Sequence, residues 1–240
     1  MDFALFSHVP WPEGADPKQV YDDITEEFVL GEQLGFKSAW MAEHHFTRYG
    51  LGAAPNVLAG HIVANTSTLR IGSAIFVSPL HLPARLAEEI ATLDILSGGR
   101  IEVGFGRGAA SSEYNVAGVP VEESQQRFQE SIAMIEGLWT TKNYSFEGKH
   151  YKITDANLVP LPIQKPHPPI HIAATRTKAT QDFVAASGHP LLVGVVLDTE
   201  DAMSLCHTMV NLAKEKGQNM TMGEIPFFRY FYVAEAEEQA

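Results

Sequence analysis

The sequence predicts an α/β protein, a (β/α)8 barrel that stops after its seventh strand. Three observations predict it. Short apolar runs alternate along the chain with longer stretches of helical periodicity. Repeated strand-then-helix units imply a parallel sheet with right-handed crossovers. Seven such strands without a dinucleotide-binding fingerprint favour a barrel over a doubly wound sheet. The glycine-rich run at 104–108 follows a strand but lacks the G-x-G-x-x-G spacing, and Glu122 and Glu123 fall on a helix instead of meeting a ribose.

The elements follow in order. Residues 3–6 form the first strand. Asp16 caps the helix after it, Pro17 fits its first turn, and Gln19 completes a capping box. Val20, Ile24, Phe28 and Leu34 give that helix an apolar stripe, and Gly35 suits its end. Strand two is 37–42, followed by a long loop and a helix at 53–65. Strand three is 69–77. Pro83 opens the next helix, with a stripe of Leu86, Ile90, Leu93 and Leu96 and with Gly98 just past its end. Strand four is 101–106. The helix at 122–140 shows Phe128, Ile132, Ile135 and Trp139. Residues 143–160 interrupt the rhythm as a hairpin turned at Glu147 and Gly148, and a proline-rich connector at 161–169 leads to strand five, 170–174. A helix at 178–187, strand six at 191–196 and a helix at 199–216 come next. Strand seven is 226–233, and 235–240 reads as the start of another helix. The expectation is a single domain over 1–240, C-terminally incomplete, with an insertion at about 141–168. A parallel crossover takes about a dozen residues, which leaves no room for an eighth strand.

Composition narrows the function. The 240 residues are 45% hydrophobic and only 19% charged, which suits one globular core rather than a disordered chain. The net charge of −12 repels phosphate backbones, so nucleic acid is not an expected partner. The N-terminus lacks a basic region and a long apolar run, and no stretch spans a membrane, so a cytoplasmic protein is expected. The single cysteine, Cys206, falls in a helical pattern and reads as a buried structural thiol.

In a barrel, chemistry gathers where strands end. Three places qualify. After strand two, His44 and His45 can exchange a proton at the barrel mouth, or serve as structural loop histidines. After strand four, Gly106, Arg107 and Gly108 offer a close backbone approach and a guanidinium suited to phosphate, or a glycine turn whose arginine pairs with a surface carboxylate. After strand five, Thr175, Arg176, Thr177, Lys178 and Thr180 read as a phosphate cradle at a helix start, or as ordinary capping. There is no G-x-S-x-G and no H-E-x-x-H. His167 and His171 are separated by Pro168 and Pro169, which prevent the helix that would join them, so no metal is expected.

Three segments, EHHFTRYGL at 43–51, SPLHLPARLAEEIATLDILSGGR at 78–100 and VGFGRG at 103–108, resemble the bacterial luciferase-like flavin-dependent monooxygenases in this order and spacing. The resemblance covers essentially the whole chain. It implies a luciferase-like TIM barrel and an oxidoreductase that uses reduced FMN and O2. In that family a C4a-peroxyflavin oxidises a small organic substrate, and a separate reductase supplies the reduced flavin. It further implies a homo- or hetero-oligomer. By the same resemblance His44 is the catalytic acid–base residue with His45 beside it, and Glu113 is an acidic position in the loop after strand four. Arg107 matches the FMN-phosphate arginine, and Thr175 and Thr177 lie in the loop of further phosphate contacts. Ala74 and Ile75 match a cis dipeptide that touches the flavin, and Phe6 an aromatic of the pocket. Gly106 stands where the light-emitting members carry a reactive cysteine, and Ala110 replaces a larger residue, so light emission is not implied. Some relatives use the deazaflavin F420 as a hydride carrier, and others bind flavin without turnover. These two remain alternative readings.

Overall fold

A computed structural model describes residues 2–236. The chain falls into two compact units, Met1–Ile172 and Ala173–Ala240.

The first unit is an α/β layer built on parallel strands. β1 (Ala4–Ser7), β2 (Ser38–Met41), β3 (Arg70–Val77) and β4 (Ile101–Gly106) lie side by side in chain order, and β4 pairs in turn with the strand at Ile170–Ala173. Each of the first three is followed by a helix: α1 (Pro17–Gln33), α2 (Pro55–Asn65) and α3 (Pro83–Ser97). A proline opens each of these helices, where its missing N–H costs nothing. α3 ends at Gly98 in the left-handed conformation, as its sequence predicts. The core holds Phe28 of α1, Trp40 and Met41 of β2, Ile62 of α2, Ile90 of α3 and Phe105 of β4, all essentially inaccessible to water. Two residues expected on apolar stripes are exposed instead. Leu34 is 69% exposed, and Leu96 is 71% exposed in an open groove of about 780 Å³ shared with Val57 and Val159.

β4 is followed by two helices rather than one. The short α4 (Ser111–Ala117) has no counterpart in the sequence expectation, and α5 (Ser124–Thr140) is the long helix that was expected. The hairpin forms as β5 (Tyr144–Glu147) and β6 (Lys152–Ala156), paired antiparallel. Glu130 of α5 fastens its turn by accepting the backbone N–H groups of Lys149 and His150 at 2.9 Å each. The fully buried Asp94 of α3 fastens the proline-rich connector, accepting the N–H of Ile163 at 2.8 Å and of Gln164 at 3.0 Å. The connector delivers β7 (Ile170–Ala173) to β4.

The second unit contains α6 (Lys178–Ser187), β8 (Leu191–Leu192) and α7 (Thr199–Glu215). Asp198 caps α7 by accepting the Asp201 N–H at 2.8 Å. Cys206 is buried on α7, and burial pushes its thiol up from the ordinary range, as expected of a structural thiol.

Three sequence expectations need correction. Residues 226–233 do not form a seventh strand. They contribute one parallel bridge, Val193 to Phe227, after which Arg229 turns its guanidinium onto the Gly194 and Asp198 carbonyls. The side chains of Tyr230, Phe231, Tyr232 and Val233 are exposed beyond it. Strand six is correspondingly short, with only Leu191 and Leu192 in regular pairing. At α1, Asp16 does cap, through the Lys18 N–H, but Gln19 donates to Asp23 at 2.7 Å and so forms no capping box. The helix expected from 235 falls mainly on 237–240, outside the described residues.

Candidate functional site

Because β1 to β4 are parallel, their C-terminal ends share one edge of the first unit, and most of the predicted site residues lie there. β2 ends at Met41, and Ala42, Glu43, His44 and His45 continue from it. The peptide bond between Ala74 and Ile75, within β3, is cis. Gly106 ends β4, and Arg107 and Gly108 lead toward α4, which carries Glu113 in its first turn.

Glu113 joins two of these segments. Its carboxylate, only 3% exposed, lies 3.3 Å from His44 Nδ1 and accepts the backbone N–H of His45 at 3.0 Å. With Nδ1 facing a carboxylate, which only accepts, the neutral His44 ring would carry its proton on Nδ1 and leave Nε2 as its acceptor atom. The His44 side chain is 24% exposed, so its ring remains reachable. His45 is bound differently. Its Nε2 lies 2.7 Å from Glu43 Oε1, and this hydrogen bond, the largest influence on the ring, raises its pKa above the ordinary histidine value against partial burial.

Arg107 is half-buried, with Nη1 donating to Ser124 Oγ at 3.4 Å. The Tyr114 hydroxyl of α4 donates to the Arg107 carbonyl, which docks α4 on this loop, and burial pushes the phenol up to about 12. Gly108 has φ +70°, and a Cβ there would sit 2.8 Å from Val77 Cγ1, so only glycine lets the loop cross the end of β3 so closely.

Phe6 lies on β1 with its ring edge-on to His8, centroids 4.8 Å apart. His8 lies 5.8 Å from the His44 ring and 5.0 Å from the Tyr49 ring, and Tyr49 meets His44 edge-on at 4.6 Å. Burial, and then the neighbouring His44, hold the His8 pKa below its ordinary value.

The first unit therefore brings together Phe6, His44, His45, Ala74, Ile75, Gly106, Arg107 and Glu113 along one set of strand ends. Thr175 and Thr177 belong to the second unit. Thr177 is the N-cap of α6, and the Thr175 carbonyl accepts from Gln181 Nε2 at 2.6 Å. The sequence reading missed Glu43, His81, His8 and Tyr49. Glu43 stands directly beside the histidine pair, and His8 lies two residues past Phe6 on the same strand end. Those adjacencies were the available signal.

Residues 1–240 match the family described as luciferase-like monooxygenase. The oxygenase component of a flavin-dependent trigonelline monooxygenase from Acinetobacter baylyi is 31% identical over 243 residues, which cover 100% of this chain and 67% of that protein. An F420-dependent glucose-6-phosphate dehydrogenase from Amycolatopsis mediterranei is 35% identical over 159 residues, 63% of this chain and 47% of that protein. Among solved structures, the monooxygenase RslO1 from Streptomyces bottropensis superposes with a TM-score of 0.91 at 26% identity, covering 100% of this chain and 74% of that one. The chain thus spans between about half and two thirds of the length of these curated relatives. Among the described residues no helix is long and apolar enough to cross a membrane.

Proposed function

The chain belongs to the luciferase-like monooxygenase family, and on that premise we propose that it binds reduced FMN and uses dioxygen to oxidise a small organic substrate. A separate reductase supplies the reduced flavin in this reading. The observation that carries it is the His44–Glu113 pair, a solvent-reachable imidazole held by a buried carboxylate at the strand ends that also present Arg107. We read residues 1–240 as one (β/α)8-type barrel domain.

The residues present fit FMN. A half-buried guanidinium between two glycines suits a phosphate dianion, and a chain of net charge −12 holds such an anion only through a local cation of this kind. Arg107 would hold the phosphate, while Phe6, Ala74, Ile75 and Gly106 would line the ring. When bound, reduced FMN supplies the electrons that activate dioxygen. The chain's own residues do the rest. Glu113 fixes the tautomer and orientation of His44, and His44 Nε2 exchanges the proton that oxygen insertion requires. His45 holds the backbone beside it. Phe6, His8 and Tyr49 make an aromatic cluster that packs against the His44 ring.

A second reading, hydride transfer with F420, draws support from the F420-dependent relative. One experiment separates the two. The chain is loaded anaerobically with reduced FMN or reduced F420 and mixed with ¹⁸O₂ and a panel of aldehydes, ketones and pyridine carboxylates. Label from ¹⁸O₂ in an organic product with FMN supports the monooxygenase. Reduction of an aldehyde or ketone by reduced F420, without label, supports the second reading. Peroxide as the only product with FMN, and no reaction with F420, would overturn both.

A further inference from the structure

The most constrained group on this edge is Glu43, which opens the 43–51 segment but was given no role there. Its side chain is fully buried. Oε1 meets His45 Nε2 at 2.7 Å, and both oxygens meet His81 Nε2 at 2.9 Å. Oε2 also accepts the backbone N–H of Val77 at 3.2 Å. We propose that Glu43 is a positioning residue for His44, an anionic clamp that ties the end of β2 to the turn after β3.

The chemistry follows from what a carboxylate can do. It only accepts, so both imidazoles must donate, and each carries its proton on Nε2. Burial is the strongest influence on Glu43 and opposes its ionisation. The hydrogen bonds and charges of His45 and His81 outweigh it and hold the carboxyl below its usual range. A buried carboxylate of this kind persists only when paired.

The geometry explains why the clamp bears on His44. In sequence His44 sits between Glu43 and His45. Glu43 is pinned by its own carboxylate to Val77 and His81, which flank the turn at Ser78–Leu80. His45 is pinned twice, by its ring to Glu43 and by its N–H to Glu113 on α4. With both neighbours fixed, the His44 backbone cannot swing, and Glu113 needs only to hold its ring. The titratable groups facing His45 are Glu43 on its own loop, Glu113 on α4, and the neighbouring His44 and His81.

This inference rests on the monooxygenase reading for its catalytic consequence, but not for its structural one. The test uses the full chain. In the unmutated protein, ¹⁵N NMR of the imidazoles should show His45 and His81 as Nε2–H tautomers. In Glu43→Gln, which removes the charge at nearly constant shape, His45 should titrate at lower pH than in the parent. Glu43→Asp, which keeps the charge, should recover part of that difference. Turnover in Glu43→Gln should fall by about 10²-fold, the cost of slight misplacement, with substrate KM and FMN affinity unchanged. Nδ1–H tautomers for both rings in the parent would overturn the clamp, even if Glu43→Gln fails to fold. So would an unchanged His45 titration in a folded Glu43→Gln, or equal losses in FMN affinity and turnover. If the parent turns over no substrate at all, the monooxygenase reading fails while the tautomer and titration results still judge the clamp.

Discussion

Replacing Glu113 by glutamine tests the acid–base assignment most directly. The carboxylate makes two contacts, 3.3 Å to His44 Nδ1 and 3.0 Å to the His45 N–H. Both partners meet the same oxygen, Oε1, so a glutamine carbonyl that keeps the His45 N–H also faces His44 Nδ1. What is lost is the charge of that acceptor, which leaves a weaker, neutral hydrogen bond to Nδ1. A hydrogen bond to a charged group contributes about 1.5–3 kcal/mol, which corresponds to about 10- to 150-fold in rate if it is realised in the transition state. The expected result is a kcat drop in that range, with FMN affinity unchanged and a larger share of oxygen consumed released as hydrogen peroxide. The assay is steady-state oxidation of substrate with reduced FMN, alongside peroxide detection and flavin fluorescence titration. Because the two residues act as a unit, adding Glu113→Gln to His44→Ala should cost little beyond His44→Ala alone. Turnover of Glu113→Gln equal to that of the parent, or full additivity of the two changes, would refute the reasoning.

Other outcomes follow from the same structure. Arg107→Ala should weaken FMN by about 10- to 100-fold and leave riboflavin, which lacks the phosphate, almost unaffected; equal losses in fluorescence titrations would remove Arg107 from the phosphate site. Burial is the largest influence on Glu32 and raises its pKa, but hydrogen bonds from the N–H groups of Thr68, Leu69 and Ser67 and from the Thr68 hydroxyl lower it to about 2. A folded pKa below the unfolded one means stability that is present above the ordinary carboxylate range and lost as pH falls toward about 2. Glu32→Gln should therefore lower stability at neutral pH by on the order of 1 kcal/mol after allowing for solvent screening, and should flatten the acid limb of urea-denaturation midpoints against pH. At Gly72 an added Cβ would run into the Trp40 indole. Gly72→Ala should cost about 1–3 kcal/mol by overpacking, and an unchanged Tm would contradict the tight seating of Trp40.

The parts of the fold that sequence made legible are those with strong local signals. β2, β3 and β4 are apolar runs bounded by turn residues, and the prolines at 17, 55 and 83 mark helix starts. The hairpin was legible from its turn and alternation. α4 was not, because over Ser111–Ala117 only Glu113 and Tyr114 are buried, and seven residues with two buried positions make no apolar stripe. Residues 226–233 misled for the opposite reason. Six aromatic or apolar side chains, Phe227, Phe228, Tyr230, Phe231, Tyr232 and Val233, interrupted by Arg229, read as a strand, but a strand also needs a neighbour that pairs along its length, and here pairing stops at one bridge. Gln19 stood at capping-box spacing, yet Asp23 competes for its amide at the i,i+4 position, and that contact wins.

The candidate site shows the same division between local and distant causes. His44, His45 and Arg107 stood out because each residue type is unusual at a strand end and its neighbours in sequence frame it. Glu43 did not stand out, since a glutamate beside two histidines in a loop reads as a solvated charge. A fully buried glutamate is rare unless paired. Its pairing partners, His81 and the Val77 N–H, lie 38 and 34 residues away and meet it only because β2 and β3 run parallel and end together. Glu113 is farther still in sequence, and only the docking of α4 on the Arg107 loop, through Tyr114, brings it to His44. The two carboxylates that organise the histidines are thus placed by topology, whereas the histidines themselves are placed by local sequence. A motif read on its own therefore identifies the candidate proton-exchanging groups but not the groups that hold them. In this chain the holding groups are acidic and buried, so mutations that neutralise them should alter proton chemistry before they alter ligand binding.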